Sequence, residues 1–158
     1  MEDFEEKFMR EAILLAEENV TKKIGGPFGA VIVKDGVLIA KSGNLVTQSN
    51  DPTAHAEVAA IRLACKKLNT FDLSGCIVYT SCEPCPMCLS ALYWARVAKI
   101  YYGNSKYDAA AIGFDDQFIY DELELPQEKR KLKVHQIMRN EALNAFKLWE
   151  KDVNKIEY

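Results

Sequence analysis

A run of closely spaced cysteines is the most chemically distinctive stretch of the chain. The segment "TSCEPCPMC", residues 80–88, places Cys82, Cys85 and Cys88 three residues apart. Cysteine pairs with this spacing are common zinc ligands, because residues three apart share one side of a helical turn. If Pro84 begins a helix, Cys85 and Cys88 fall in its first turn and Cys82 lies before it. We therefore expect Cys85 and Cys88 to be the ligand pair.

The remaining cysteines have a simpler interpretation. Buried thiols that bind nothing behave as small hydrophobic side chains. We expect that role for Cys65, Cys76 and Cys82. A closed structural zinc site remains the alternative, with Cys82 as a possible fourth ligand, because structural sites need four protein ligands.

A second predicted helix begins at "TAHAEV", where His55 could supply a third ligand. Two thiolates and one imidazole favour zinc over magnesium or calcium. Three protein ligands would leave one tetrahedral position open for water, as in catalytic zinc sites. Glu57 could then take a proton from that water and return it to the substrate, although a carboxylate in a first helical turn also stabilises the helix dipole. The complete pattern, H-x-E followed by P-C-x-x-C, is typical of zinc deaminases.

The elements that must position these residues alternate along the chain. Apolar periodicity predicts helices over residues 3–19, 55–68, 84–97 and 140–153, with Asp51 or Thr53 as the cap of the second. Alternating or β-branched runs predict a hairpin over "FGAVIV" and "VLIAKS" and strands over 75–81 and 98–104. This order predicts an α/β protein with three α-β-α layers, in which helices flank a mixed central sheet. We expect a single domain over residues 1–158.

Composition restricts the class of protein. The net charge of −3 and the pI near 5.5 argue against nucleic acid as a partner, because phosphate binding usually needs excess Lys and Arg. The basic run "EKRKLK" at 128–133 is short enough to be a solvated surface. No stretch is long and apolar enough to predict a membrane span. An odd number of cysteines, five, and the lack of a signal-peptide pattern predict a cytoplasmic protein without a disulfide framework.

The chain resembles the cytidine deaminase-like superfamily through "HAEVAAIR" and "TSCEPCPMCLSALYWAR". Within it, the chain is most similar to the bacterial guanine deaminases, through "GGPFGAVIVKDG", "SNDPTAHAE", "DAAAIGFDDQFIY" and the final "EY". The tRNA adenosine deaminases share "DPTAHAE" and the cysteine motif, but a basic surface would be expected there.

This resemblance implies the hydrolysis of guanine to xanthine and ammonia, with one zinc ion per chain. It implies that zinc is held by His55, Cys85 and Cys88, and that the catalytic residues are Glu57 and Asp116, the latter helping the amino group to leave. It also implies a purine site formed by Phe28, Asn44, Ala56, Trp94 and Tyr158.

Several of these residues have other interpretations. Phe28 and Trp94 could be core residues, Asn44 could belong to a turn, and Asp115 or Asp116 could cap the next helix. Asp116 is preferred to Asp115 by position alone. A deaminase of guanosine, or less plausibly of tRNA adenosine, is the alternative function.

The C-terminal segment is expected to contact another subunit. The helix predicted over 140–153 has an apolar stripe of Leu143, Phe146, Trp149 and Val153 that must be buried somewhere. The following tail ends in Tyr158, and a tail rich in apolar residues suggests docking. The resemblance implies a homodimer in which residues 105–158 form a capping segment that is exchanged between subunits, so that Tyr158 closes the neighbouring site.

Overall fold

The computed structural model describes residues 4–158, which divide into two compact units, one ending at Gln117 and one over residues 118–158. The elements of the first unit are α1 (Glu6–Thr21), β1 (Gly29–Lys34), β2 (Val37–Gly43), α2 (Val46–Ser49), α3 (Ala56–Leu68), β3 (Cys76–Cys82), α4 (Pro86–Trp94), β4 (Lys99–Asn104) and α5 (Lys106–Ala111). The later elements are α6 (Gln117–Glu124), a short 3-10 helix (Gln127–Lys129) and α7 (Arg139–Lys151).

The four strands form one mixed sheet in the order β2-β1-β3-β4. β1 pairs antiparallel with both β2 and β3, whereas β3 and β4 are parallel and are connected through α4. The β1–β2 hairpin turns through Asp35 and Gly36, which both have positive φ angles, 50° and 72°. Two successive positive φ angles are typical of the tight hairpin turn that suits the twist of the strands. The mixed sheet expected from the sequence is confirmed.

Alternate residues of the central strands enter two separate cores, because successive side chains of a strand point to opposite faces. On one face Phe8 and Ala12 of α1 pack with Val31, Val33 and Tyr79. On the other face the core combines β-strand residues with alanines of α3 and with α4, and includes Ala30, Ile32, Val78, Ala56, Ala60, Ala64 and Leu92. The three α-β-α layers are thereby confirmed, with α1 on one side of the sheet and α3 and α4 on the other.

Helix boundaries differ from the prediction at two functionally relevant points. The N-cap of α3 is His55 itself, without a side-chain cap, so neither Asp51 nor Thr53 caps this helix. α4 begins at Pro86 rather than Pro84, and Cys85 is its N-cap with φ −65° and ψ 168°. The residue before a proline is sterically excluded from the helical region, which explains why Cys85 is extended.

The second unit has little buried surface. None of the residues 118–158 is buried, and Phe146, Leu148 and Trp149 on α7 are 70%, 71% and 44% exposed. Arg130 links the end of α6 to the following loop by donating to the carbonyls of Leu123 and Leu125, at 3.2 and 3.0 Å. Within residues 4–158, no helix is long and apolar enough to cross a membrane.

Candidate active site

Two helix starts bring three potential metal ligands together. His55 lies at the start of α3, Cys85 immediately before α4, and Cys88 in the first turn of α4. His55 Nδ1 lies 3.5 Å from each of the two Sγ atoms. All three ligand atoms fall within 4.8 Å of one another. These residues are the ones that the cysteine spacing and the "HAE" motif predicted to meet.

The three donor atoms fit a zinc ion. Ligands at 2.0–2.3 Å in a tetrahedral zinc site lie roughly 3.3–3.8 Å from each other, which matches the two sulfur–nitrogen distances of 3.5 Å. Two sulfurs with one imidazole nitrogen also form a soft ligand set that suits zinc. The chemical type and the spacing of the donor atoms therefore both indicate zinc.

The two cysteines differ in acidity. Hydrogen bonding with Cys88 lowers the pKa of Cys85 well below that of an ordinary thiol. Hydrogen bonding with Cys85, together with burial, raises the pKa of Cys88 above its usual range. Cys85 Sγ also accepts a hydrogen bond from the backbone N–H of Cys88 at 3.5 Å, which caps α4. The same sulfur thus caps the helix and loses its proton more readily than an ordinary thiol, which favours cation binding.

Glu57 lies beside the ligand group and is almost completely buried, with 7% of its surface exposed. One carboxylate oxygen accepts a hydrogen bond from Cys88 Sγ at 3.4 Å and the other from Thr80 Oγ1 at 3.4 Å. Burial raises the pKa of Glu57, which makes the carboxylate a better proton acceptor. Its position next to a metal-ligand thiol suits a group that transfers protons at the metal. The contribution of Thr80 was missed by the sequence argument.

Cys82 lies outside the ligand group. It is buried at the end of β3, and its Sγ donates to the carbonyl of Ser105 at 3.7 Å. Burial raises the pKa of Cys82 to about 11, so it remains a thiol at neutral pH. This environment is that of a structural cysteine and gives no support to a fourth zinc ligand.

Asp116, near the end of the first unit, interacts electrostatically with the ligand group. Asp116 is half-buried, and burial raises its pKa. The pKa of His55 is raised mainly by its contact with Cys85, and the charge of Asp116 makes a smaller contribution in the same direction. Asp115 instead accepts a hydrogen bond from the N–H of Gln117 at 2.9 Å, at the start of α6. The assignment of Asp116 rather than Asp115 to the amino group stays a prediction, which the electrostatic influence of Asp116 on His55 supports.

Phe28 and Asn44 lie on loops joined to the ligand group. Phe28 is half-buried and packs edge-to-face on Phe114, with ring centroids 4.9 Å apart. Asn44 is buried, and its backbone N–H donates to the carbonyl of Phe28 at 3.0 Å. The next residue, Leu45, donates to the carbonyl of Ala54, which immediately precedes His55 in the chain.

The other predicted purine contacts, Ala56, Trp94 and Tyr158, differ in burial and lie in different elements of the chain. Ala56 is fully buried in the first turn of α3. Trp94 ends α4 and is 68% exposed, so it is not a core residue of this chain. Six residues of helix, about 9 Å, separate it from Cys88. Tyr158 is 70% exposed and belongs to the second unit.

Comparisons with known proteins agree with the site. Residues 2–104 match the family model described as the cytidine and deoxycytidylate deaminase zinc-binding region. The chain is 56% identical to guanine deaminase of Bacillus subtilis over 97% of this chain and 98% of that protein. It is also similar to the crystal structure of guanine deaminase from Bacillus subtilis, with 55% identity, a TM-score of 0.95, and coverage of 98% of this chain and 99% of that one.

A more distant relative is a tRNA-specific adenosine deaminase of Haemophilus influenzae, which is 37% identical over 78% of this chain and 74% of that protein. The order of these similarities confirms the resemblance to the deaminase superfamily and, within it, to the guanine deaminases. The chain therefore belongs to the cytidine and deoxycytidylate deaminase family of zinc-dependent hydrolases.

Proposed function

We propose that this protein converts guanine and water into xanthine and ammonia. The observation that carries the proposal is the 56% identity to a guanine deaminase over nearly the whole of both chains. The similarity includes the parts of the chain that resemble the guanine deaminases alone, not just the shared metal motifs. The tRNA adenosine deaminase is less similar and matches less of the chain, and the net charge of −3 offers little attraction for RNA.

In this proposal His55, Cys85 and Cys88 hold the zinc ion. Zinc supplies a Lewis acid that makes water a stronger nucleophile near neutral pH. Glu57 accepts a proton from the attacking water and delivers it to the purine, and its burial keeps the carboxylate ready to be protonated. Thr80 fixes one oxygen of Glu57, so the other can serve the transfer.

The purine is held by the surrounding loops. Asn44 hydrogen-bonds the base and Phe28, supported by Phe114, packs against it. Asp116 contacts the 2-amino group and stabilises it as it leaves as ammonia. The position of Asp116, close enough to His55 to affect its pKa, supports this role. Ala56 forms the wall of the purine site where α3 begins.

We further propose a homodimer in which the C-terminal segments of the two subunits are exchanged and Tyr158 closes the neighbouring site. The support is the exposed apolar surface of α7, which includes Phe146, Leu148 and Trp149. Trp94, exposed at the end of α4, would then lie near the purine only in the assembled protein. A cytoplasmic location is proposed because the ligand cysteines must remain reduced.

The direct test offers the zinc-loaded protein guanine, guanosine, adenine, cytosine and a tRNA substrate, and measures ammonia release. We expect rapid turnover of guanine alone. Preference for guanosine would contradict the free-base specificity, and preference for tRNA adenosine would contradict the proposal as a whole. The matched control is Glu57→Gln, which removes the proton acceptor and excludes ammonia from a contaminating enzyme.

A further inference from the structure

A buried asparagine of α1 connects the two loops that carry the proposed purine contacts. Asn19 is 3% exposed and lies on the buried stripe of α1, after Phe8, Ala12 and Ala16. A polar side chain in such a stripe is costly to bury unless it is hydrogen-bonded. The buried position of Asn19 therefore indicates that its side chain makes specific hydrogen bonds.

The amide group of Asn19 uses its donors on two different loops. Nδ2 donates to the carbonyl of Gly26 and to the carbonyl of Asn44, both at 2.8 Å. The backbone carbonyl of Asn19 in turn accepts from Ile24 at 2.8 Å. One residue of α1 thus fixes the loop before Phe28 and the backbone of Asn44.

Two glycines leave room for this arrangement. A Cβ atom at Gly43 would lie 2.3 Å from Asn19 Oδ1, and a Cβ atom at Gly25 would lie 2.5 Å from the carbonyl oxygen of Asn44. Both distances are shorter than any non-bonded contact, so a larger residue would displace the asparagine or the loop. The absence of a side chain at Gly25 and Gly43 therefore leaves the space that Asn19 and its hydrogen bonds occupy.

The loops that Asn19 holds are linked onward to the site. Asn44 N–H donates to the carbonyl of Phe28, and Leu45 N–H donates to the carbonyl of Ala54, beside His55. The side-chain oxygen of Asn44 accepts from Val46 N–H at 3.1 Å, so the orientation of this side chain depends on its own loop. A shift of the Asn44 backbone would therefore move its side chain relative to the metal ligands.

We propose that Asn19 is a positioning residue that sets the placement of Asn44 and Phe28 for purine binding, without touching the substrate. This inference rests on the proposed function for the identity of the purine. Asn19 would thus help to determine substrate affinity, although α1 lies on the opposite side of the sheet from α3 and α4.

The test compares Asn19→Ala with Phe8→Leu, a core substitution in the same helix that packs on Tyr79, away from the purine loops. In zinc-loaded Asn19→Ala we expect faster amide hydrogen exchange in residues 24–28 and 43–45, unchanged zinc content, and a guanine KM raised about five- to tenfold. This change is the size expected for one misplaced hydrogen bond, and kcat should change less. Phe8→Leu should lower the Tm without either effect.

Gly43→Ala tests the same inference with Asn19 intact, and serves if Asn19→Ala does not fold. Its added Cβ should displace the asparagine and raise KM in the same way. In the double variant the effects should be less than additive, because both act on one contact. The proposal would be overturned if Asn19→Ala and Gly43→Ala had the same loop amide hydrogen-exchange rates and the same guanine KM as Phe8→Leu. If the unaltered protein does not deaminate guanine, the proposed function is contradicted. The amide hydrogen exchange of residues 24–28 and 43–45 still tests whether Asn19 positions the two loops.

Discussion

The two compact units of the chain are built on different physical principles. The unit that ends at Gln117 contains a four-stranded sheet with a core on each face, and every buried residue described in the chain lies within it. Residues 118–158 contain most of α6 and all of α7, and most large apolar side chains of these helices are exposed. An amphipathic helix gains most of its stability from burying its apolar face. The comparison indicates that the first unit is stabilised by its own core, whereas the second needs another surface.

This difference divides the effects of substitutions into two kinds. Changes among the metal ligands and Glu57 should act within one chain and should not depend on protein concentration. Changes on α7 or in the tail should act through association and should depend on concentration.

The largest effect is expected from loss of a metal ligand. Cys85→Ala should abolish stoichiometric zinc binding and deamination, because two ligands hold the ion too weakly. Cys82→Ala is the matched control, since Cys82 is buried nearby and donates only to a backbone carbonyl. It should retain one zinc ion per chain, measured by elemental analysis of the purified protein. Equal zinc loss in the two variants would favour a four-ligand structural site.

Glu57→Gln should cause the next largest loss. The amide preserves the shape of the side chain but cannot accept a proton, so kcat should fall by about 10²–10⁴-fold or more. Zinc content and the Tm should be retained. The reduction should be the same at all protein concentrations. A variant with more than about a tenth of the original rate would exclude Glu57 from proton transfer.

Trp149→Ala should weaken the dimer. Trp149 is a large apolar residue on the exposed face of α7, and buried tryptophans at interfaces commonly contribute about 2 kcal/mol or more, or roughly 30-fold in Kd. Sedimentation over a dilution series measures the change, and activity should fall in parallel as the protein is diluted. Lys147→Ala, two residues away on the same helix, is the control and should leave Kd unchanged. A monomeric unaltered protein with full activity would contradict the proposed dimer.

Deletion of residues 154–158 should have the smallest of these effects on association and a selective effect on turnover. The dimer should persist, because α7 supplies most of the proposed contact. Loss of Tyr158 should reduce kcat/KM for guanine at least about tenfold, equivalent to ~1.4 kcal/mol. Tyr158→Phe separates the hydroxyl group from the ring. Full turnover by the truncated protein would show that the tail does not close the site.

The fold and the metal ligands were predictable because they depend on local patterns. Periodicity located the four main helices and four strands, and the ligand motifs fell at helix starts, where their spacing fixes their geometry. The start of α4 was predicted two residues early, although the sequence contains the reason for the correct position. Cys85 precedes Pro86 and is therefore restricted to an extended conformation, so it must be the cap rather than a first-turn residue.

Contacts between segments that are distant in the sequence were harder to predict. The hydrogen bond from Thr80 to Glu57 joins β3 to α3, and those of Asn19 join α1 to two loops. Neither can be inferred from spacing along the chain. For Asn19 a weak signal existed, since a polar residue continued the buried stripe of α1. Asp116 stays the predicted amino-group contact, and the hydrogen bond that Asp115 accepts from the N–H of Gln117 could not be inferred from the sequence.

The boundary after Gln117 has a consequence for how the protein is made. Every proposed site residue except Tyr158 is translated before this boundary. At the usual synthesis rate of about 5–20 residues per second, residues 118–158 take about 2–8 s to translate. N-terminal units generally fold first during synthesis, so the sheet and the metal ligands precede α7 in folding. The metal ligands can therefore come together before the exposed apolar side chains of α7 are available to any partner.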